Sequence, residues 1–125
     1  MPFVRIDLVE GTSTEFRHGV ADVIYDAMRE TLNVPEDDRF QVIAEHRLEN
    51  FIIARTYLGI EHSERCAVVS VTLNEGRSVE MKQAFYRAVA DGLHALGLRR
   101  EDVVISLTEV KKENWSFGNG EAQYA

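Results

Sequence analysis

Apolar and polar residues alternate over residues 2–8 and again over residues 67–73. Val4, Ile6 and Leu8 fall on one side of the first run; Val69, Val71 and Leu73 fall on one side of the second. A period of two in β-branched residues predicts strands. Each run leads into the same dipeptide, Glu10-Gly11 and Glu75-Gly76, 65 residues apart. The period then lengthens to that of a helix. Phe16, Val20, Val23, Ile24, Ala27 and Met28 match, at the same offset, Met81, Phe85, Ala88, Val89, Gly92 and Leu93. Helices are therefore expected from the Thr12-Ser13 region to about Leu32, and from Val79 to about Leu96. Thr12 and Glu15 fit a capping box, with Ser13 the alternative cap; Ser78 caps the second helix. Asn33 with Pro35 ends the first helix and Gly97 ends the second. Further strands are expected over residues 40–45 and 103–109. Strand, long helix and strand in succession imply a right-handed parallel crossover.

One strand–helix–strand unit thus occurs twice, and differences between the copies mark where chemistry can sit. The expected class is α+β: two pseudo-symmetric β-α-β repeats forming a four-stranded sheet with two helices on one face. The chain is expected to be one domain, 1–125. Repeat one spans about 2–45, a linker 46–66, repeat two about 67–110 and an aromatic tail 111–125. Phe51-Ile52-Ile53 is expected to form a short strand in the linker and Tyr57-Leu58-Gly59 a turn. The side of the sheet away from the helices is expected to carry Phe3, Ile43, Val68 and Val104 among Arg5, Asp7, Ser70 and Thr72. A half-apolar open face needs a cover, which points to a homo-oligomer.

Composition narrows the function classes. No run approaches the roughly 18 apolar residues of a membrane helix, and the start lacks the pattern of a signal peptide. A single cysteine, Cys66, cannot form an internal disulfide, which suits a reducing cytoplasm. The net charge of −7 comes without a basic stripe, so nucleic acid is not an expected partner. An anionic small molecule would need a local cation.

Pro2 follows the initiator Met1, whose removal is expected to leave a secondary amine at the terminus. A free α-amine ordinarily titrates at about 7.7–8.0, and burial lowers it towards a neutral base. Met-Pro is also an ordinary start. Arg77 stands where the first copy has Thr12, at a helix N-terminus, where a cation is mildly disfavoured. It makes sense there if it holds a carboxylate; the alternative is a solvated arginine paired with Glu75 or Glu80. Pseudo-symmetry allows the amine and the guanidinium to share one pocket. Asp37 and Asp38 precede the second strand, either as loop carboxylates or beside the amine, and Asp102 matches Asp38 in the second copy. Trp115 and Phe117 form either a dry wall or a tail clamp. His62 and Cys66 are too few for a zinc site, so no metal is expected. His18 and His94 fall on polar helix faces. Neither a phosphate-binding glycine loop nor a Gly-x-Ser-x-Gly elbow is present.

Residues 2–8 (PFVRIDL), 34–41 (VPEDDRFQ) and 115–118 (WSFG), with Gly76-Arg77-Ser78 ahead of Lys82, Phe85 and Tyr86, give the chain a clear kinship. It resembles the tautomerase superfamily, and within it the long-chain branch of malonate semialdehyde decarboxylase and its relatives. The resemblance implies a homotrimer of β-α-β units, with neither metal nor organic cofactor. It implies Pro2 as the catalytic amine, Asp38 as the aspartate working beside it, Arg77 as a binder of substrate carboxylate, and Trp115 and Phe117 as aromatic wall. Where the decarboxylase has a further arginine two positions earlier, this chain has Glu75, which argues against decarboxylation. The implied activity is a cytoplasmic tautomerase, moving a proton between carbon and oxygen in a small 2-oxo or 2-hydroxydienoate acid with Pro2 as base. The alternatives are a decarboxylase or hydratase of small 3-oxo acids with a cationic Pro2, and a trimeric binding protein that kept only the fold.

Overall fold

A computed structural model describes residues 2–125. Six strands and two helices run in the order β1 (Phe3–Val9), α1 (Thr14–Thr31), β2 (Gln41–His46), β3 (Thr56–Tyr57), β4 (Ile60–Glu61), β5 (Ala67–Asn74), α2 (Val79–Ala95) and β6 (Val103–Val110). Four strands form a mixed sheet in the order β2-β1-β5-β6. β1 is parallel to β2 and β5 is parallel to β6, while β1 and β5, the two central strands, are antiparallel. The expected α+β architecture of two β-α-β units is present. β3 and β4 form a separate small hairpin.

Each strand-to-helix turn repeats one solution. Gly11 and Gly76 take φ of 102° and 120°, values open to glycine at little steric cost. Ser13 Oγ accepts from Phe16 N at 3.0 Å and Ser78 Oγ accepts from Met81 N at 3.2 Å. These are N-caps that satisfy otherwise orphaned helix amides. Ser13, not Thr12, caps α1. Thr12 is drawn elsewhere: its N and Oγ1 donate to the Glu45 carboxylate at 3.0 and 2.6 Å. Asn33 leaves α1 in the left-handed region at φ 56°, and Val34 N closes back on Met28 O at 3.4 Å. That ending leaves the Leu32 carbonyl outside the helix's own hydrogen bonds.

The core lies between the sheet and the helices. Val4, Ile6, Leu8, Val69, Val71 and Leu73 are all buried against Ile24, Met28, Phe85 and Val89. Ile43 does not lie on the open side of the sheet. It pairs with Ile6 in the parallel register and packs on the core, because directly paired residues of neighbouring strands share a face. Val42, beside Arg5, takes the open side and is exposed. Phe3 is likewise exposed there, and Arg5, Asp7 and His46 form a polar row, with His46 Nε2 at 2.6 Å from Asp7 Oδ1.

Phe51-Ile52-Ile53 is not a strand. Phe51 stacks on His46, with ring centroids 5.7 Å apart, and Ile52 is exposed. The hairpin forms further on, where Leu58 and Gly59 both take positive φ (51° and 80°), the geometry of a two-residue hairpin turn. No helix among the described residues is long and apolar enough to cross a membrane.

The two helices meet closely at Gly92, where an added Cβ would lie 2.5 Å from Val23 Cγ1. Val23 is branched and has few rotamers with which to yield. Gly92→Ala is therefore expected to destabilise by about 1 kcal/mol net: overpacking costs about 1–3 kcal/mol, and the gain in helix propensity returns about 0.5–1 kcal/mol. Urea denaturation monitored by circular dichroism measures it.

Candidate active site

The antiparallel pairing of β1 with β5 sets Phe3 opposite Thr72. The start of β1 therefore meets the end of β5. In the parallel pair Val4 faces Gln41, and Val4 N donates to Phe40 O at 2.9 Å. Pro2, Asp38 and the Asn74–Arg77 turn consequently converge on one end of the sheet. Pro2 is buried there.

Arg77 is held by main-chain oxygens; among the described residues it pairs with neither Glu75 nor Glu80. Its Nε and Nη2 donate to Leu32 O at 3.1 and 3.0 Å, and Nη1 donates to Asn74 O at 3.0 Å. Leu32 caps the C-terminus of α1, so the guanidinium occupies the negative end of that helix dipole, where a cation is favoured. Position in the sequence alone had suggested the unfavourable end of α2. An arginine has five N–H donors. Three are used, and one on each Nη has no hydrogen-bond partner among the described residues.

Asp37 and Asp38 part company. Asp37 is exposed, takes φ 67° and donates its N–H to the Tyr25 hydroxyl at 3.0 Å. Asp38 is buried, with 7% of its surface accessible. Burial pushes its carboxyl up from the ordinary value, against the pull of positive charge that includes Arg77. The matching residue of the second repeat behaves in the opposite way. Asp102 is also buried, which by itself would raise it. Ser63 N and Oγ donate to its two oxygens at 2.7 and 2.6 Å, and these bonds, aided by Arg99, hold the carboxyl below the ordinary range. Cys66 lies beside it, and burial with the Asp102 charge pushes the thiol up to about 11. His62 and Cys66 belong to no cluster of metal-ligating residues among those described, and His18 and His94 are exposed.

The tail closes over the Pro2 end. Trp115 stacks on Phe117 with centroids 5.3 Å apart, Phe117 lies 5.6 Å from Phe40, and Tyr124 meets Phe117 edge-on at 5.8 Å. The Trp115 indole Nε1 donates to Asn74 Oδ1 at 2.7 Å. The structure thus brings Pro2, Asp38, Arg77, Trp115 and Phe117 to the same end of the molecule. Met1 lies outside the described residues. Sequence reasoning missed Leu32, Phe40 and Asn74. A carbonyl ligand such as Leu32 O leaves no trace in side-chain identity. Asn74 did leave one, since the first copy has Val9 there.

The model of a family described as tautomerase enzyme matches residues 38–118, and a second of the same description matches residues 2–60. The probable tautomerase YusQ of Bacillus subtilis (strain 168) is 42% identical over 98% of this chain and 98% of its own. Among solved structures, FG41 malonate semialdehyde decarboxylase inhibited by 3-bromopropiolate superposes with a TM-score of 0.91 at 37% identity, covering 98% of this chain and 93% of that one. A fused 4-OT symmetric trimer shares the fold, with a TM-score of 0.79 at 22% identity over 98% of this chain and 97% of that one.

Asp38 generates a stability prediction. Its folded carboxyl keeps the proton to higher pH than the unfolded chain does. Its contribution is therefore full below the ordinary value of 3.8 and is lost as pH rises through the folded value. Asp38→Asn is expected to melt higher than the parent at pH 7, with the gap closing on acidification. Melting curves recorded from pH 3 to pH 7 test the sign.

Proposed function

The chain belongs to the tautomerase family, and on that footing we propose that it moves a proton between oxygen and carbon in a small 2-hydroxydienoate or 2-oxo acid, with Pro2 as the general base. Met1 is removed to free the amine. The observation that carries this reading is the convergence of a buried Pro2, a buried Asp38 and a guanidinium with two unused donors on one end of the sheet.

The substrate carboxylate binds the two free N–H groups of Arg77, a fork suited to two carboxylate oxygens. Apolar surroundings keep a useful fraction of the Pro2 amine neutral. The neutral nitrogen takes the proton of the 2-hydroxyl. The O–H electron pair becomes the new C=O π bond, and the dienoate π electrons shift to a distal carbon. That carbon then takes the proton back from the Pro2 ammonium, so nothing is gained or lost overall. Asp38 stabilises the ammonium between the two transfers. Trp115 and Phe117 keep water from competing for the proton. The reaction as drawn uses no metal and no organic cofactor.

Similarity to a malonate semialdehyde decarboxylase favours a second reading. In it Pro2 is cationic and polarises the carbonyl of a 3-oxo acid. The carbon–carboxylate bond breaks, CO2 leaves, and the electron pair is held as an enolate until the Pro2 ammonium delivers a proton to carbon. Glu75, exposed in the turn next to Arg77, weighs against it by adding negative charge where developing negative charge needs stabilising. The trimeric relative and the exposed Phe3 and Val42 on the open sheet face support a homotrimer covered on that face. The buried, free Cys66 fits residence in the cytoplasm.

Pro2→Ala is expected to lower kcat/KM by about 10²–10⁴, the range for loss of a general base, in assays with phenylpyruvate-like and hydroxymuconate-like acids. Rates equal to the parent's would end the reading. The pH–rate profile separates the two chemistries. A limb that rises with pH through the amine's pKa marks a base; one that falls marks an acid. Arg77→Lys is expected to raise KM by about tenfold to a hundredfold, since a charged hydrogen bond contributes about 1.5–3 kcal/mol and an ammonium lacks the planar fork.

A further inference from the structure

We infer that Asn74 is a positioning residue that locks the aromatic tail over the Pro2–Asp38 end of the sheet, an assignment that rests on the proposed function for its catalytic consequence. Asn74 is the last residue of β5 and is half-buried. It contributes two acceptors to two different parts of the site. Its main-chain oxygen takes Arg77 Nη1 at 3.0 Å, and its side-chain oxygen takes Trp115 Nε1 at 2.7 Å. A residue fixed in a strand ladder thereby sets both the carboxylate-binding cation and the hydrophobic wall.

The tail needs such an anchor. Phe117 N donates to Gln123 Oε1 and Gln123 Nε2 donates to Gly118 O, both at 2.9 Å, so the segment braces itself. Those bonds stay within the tail. The Trp115–Asn74 bond ties it to the sheet, and from Trp115 the ring stack passes through Phe117 to Phe40, the residue just before β2. Asn74 thus holds one end of an aromatic strap that crosses from the end of β5 to the strand preceded by Asp38. An indole N–H buried without its acceptor is costly, so losing Oδ1 releases the ring to find water. The first repeat has Val9 at this position, which offers no side-chain acceptor, and no aromatic strap is anchored there among the described residues.

The two acceptors can be tested apart, because a side-chain substitution leaves the carbonyl that serves Arg77. Trp115 is the chain's single tryptophan, so tryptophan fluorescence reports the surroundings of this one ring. Asn74→Leu, which keeps the branched shape and removes the acceptor, is expected to shift the emission to longer wavelength and to raise the acrylamide quenching constant about twofold. Asn74→Asp, which keeps an acceptor oxygen, is expected to restore both. In turnover, Asn74→Leu should lower kcat/KM by about threefold to tenfold, the scale of one neutral hydrogen bond. The rising limb of its pH–rate profile should move up towards the ordinary α-amine range of about 7.7–8.0 as water reaches Pro2. Trp115→Phe, which removes the donor and keeps a ring, should reproduce these kinetic changes, and the double variant should add nothing further. Emission and quenching unchanged in Asn74→Leu would overturn the assignment, as would fully additive effects in the double variant. Fluorescence is read on the resting protein, so it judges Asn74 even if the parent lacks tautomerase activity, an outcome that would count against the proposed function alone.

Discussion

The antiparallel join between β1 and β5 is the contact on which everything else is arranged. Each β-α-β repeat supplies a parallel strand pair and a helix, but neither repeat alone brings a strand's start beside another strand's end. Only the register that sets Phe3 against Thr72 does so. It places the beginning of the chain next to the turn that carries Arg77. A slip of one residue would turn Val4, Ile6 and Leu8 away from the helices, so the buried apolar face holds the register, and the register holds the site.

The second repeat reaches the site through main-chain chemistry. A helix that ends at a left-handed Asn33 leaves a carbonyl in want of a donor, and Arg77 satisfies it. The guanidinium is thereby fixed by two carbonyls, Leu32 from the first repeat and Asn74 from the second. Its charge stays unpaired with a carboxylate of its own turn among the described residues, which suits the anion-binding role proposed for it. An ion pair with Glu80 would have occupied the donors that remain.

Near-symmetry makes the function easier to see. Both ends of the central strand pair have an aspartate buried just ahead of an outer strand, yet their carboxyls are shifted in opposite directions. Asp102 is enclosed by Ser63 and Arg99 and lies beside a thiol raised to about 11. Asp38 is raised by burial in a corner that also holds Pro2 and feels Arg77. One aspartate is held by hydrogen bonds from Ser63, and the other shares its corner with the amine end of the proposed site. An aspartate held away from its solution pKa by burial is a common mark of a working site.

The repeat, the strand and helix periods, the capping serines and the two Glu-Gly turns are local properties, so the chain alone determined the architecture. Period two and period 3.6 depend only on which residues recur, and a cap acts within three residues of itself. The same patterns raised Pro2, Asp38, Arg77, Trp115 and Phe117 as candidates, and family likeness gave all five their expected roles. Tertiary structure decided what no spacing encodes. Ile43 joined the core because its strand partner is Ile6. Thr12 gave up the cap because Glu45, far along the chain, reached it first. Phe51 stacked on His46 instead of entering a ladder. Arg77 sits at the end of one helix while its sequence neighbours start another, and Asn74 became an anchor only when the tail folded back to it. Each of these contacts joins segments distant in sequence, and their energies exist only after the sheet has set those segments side by side.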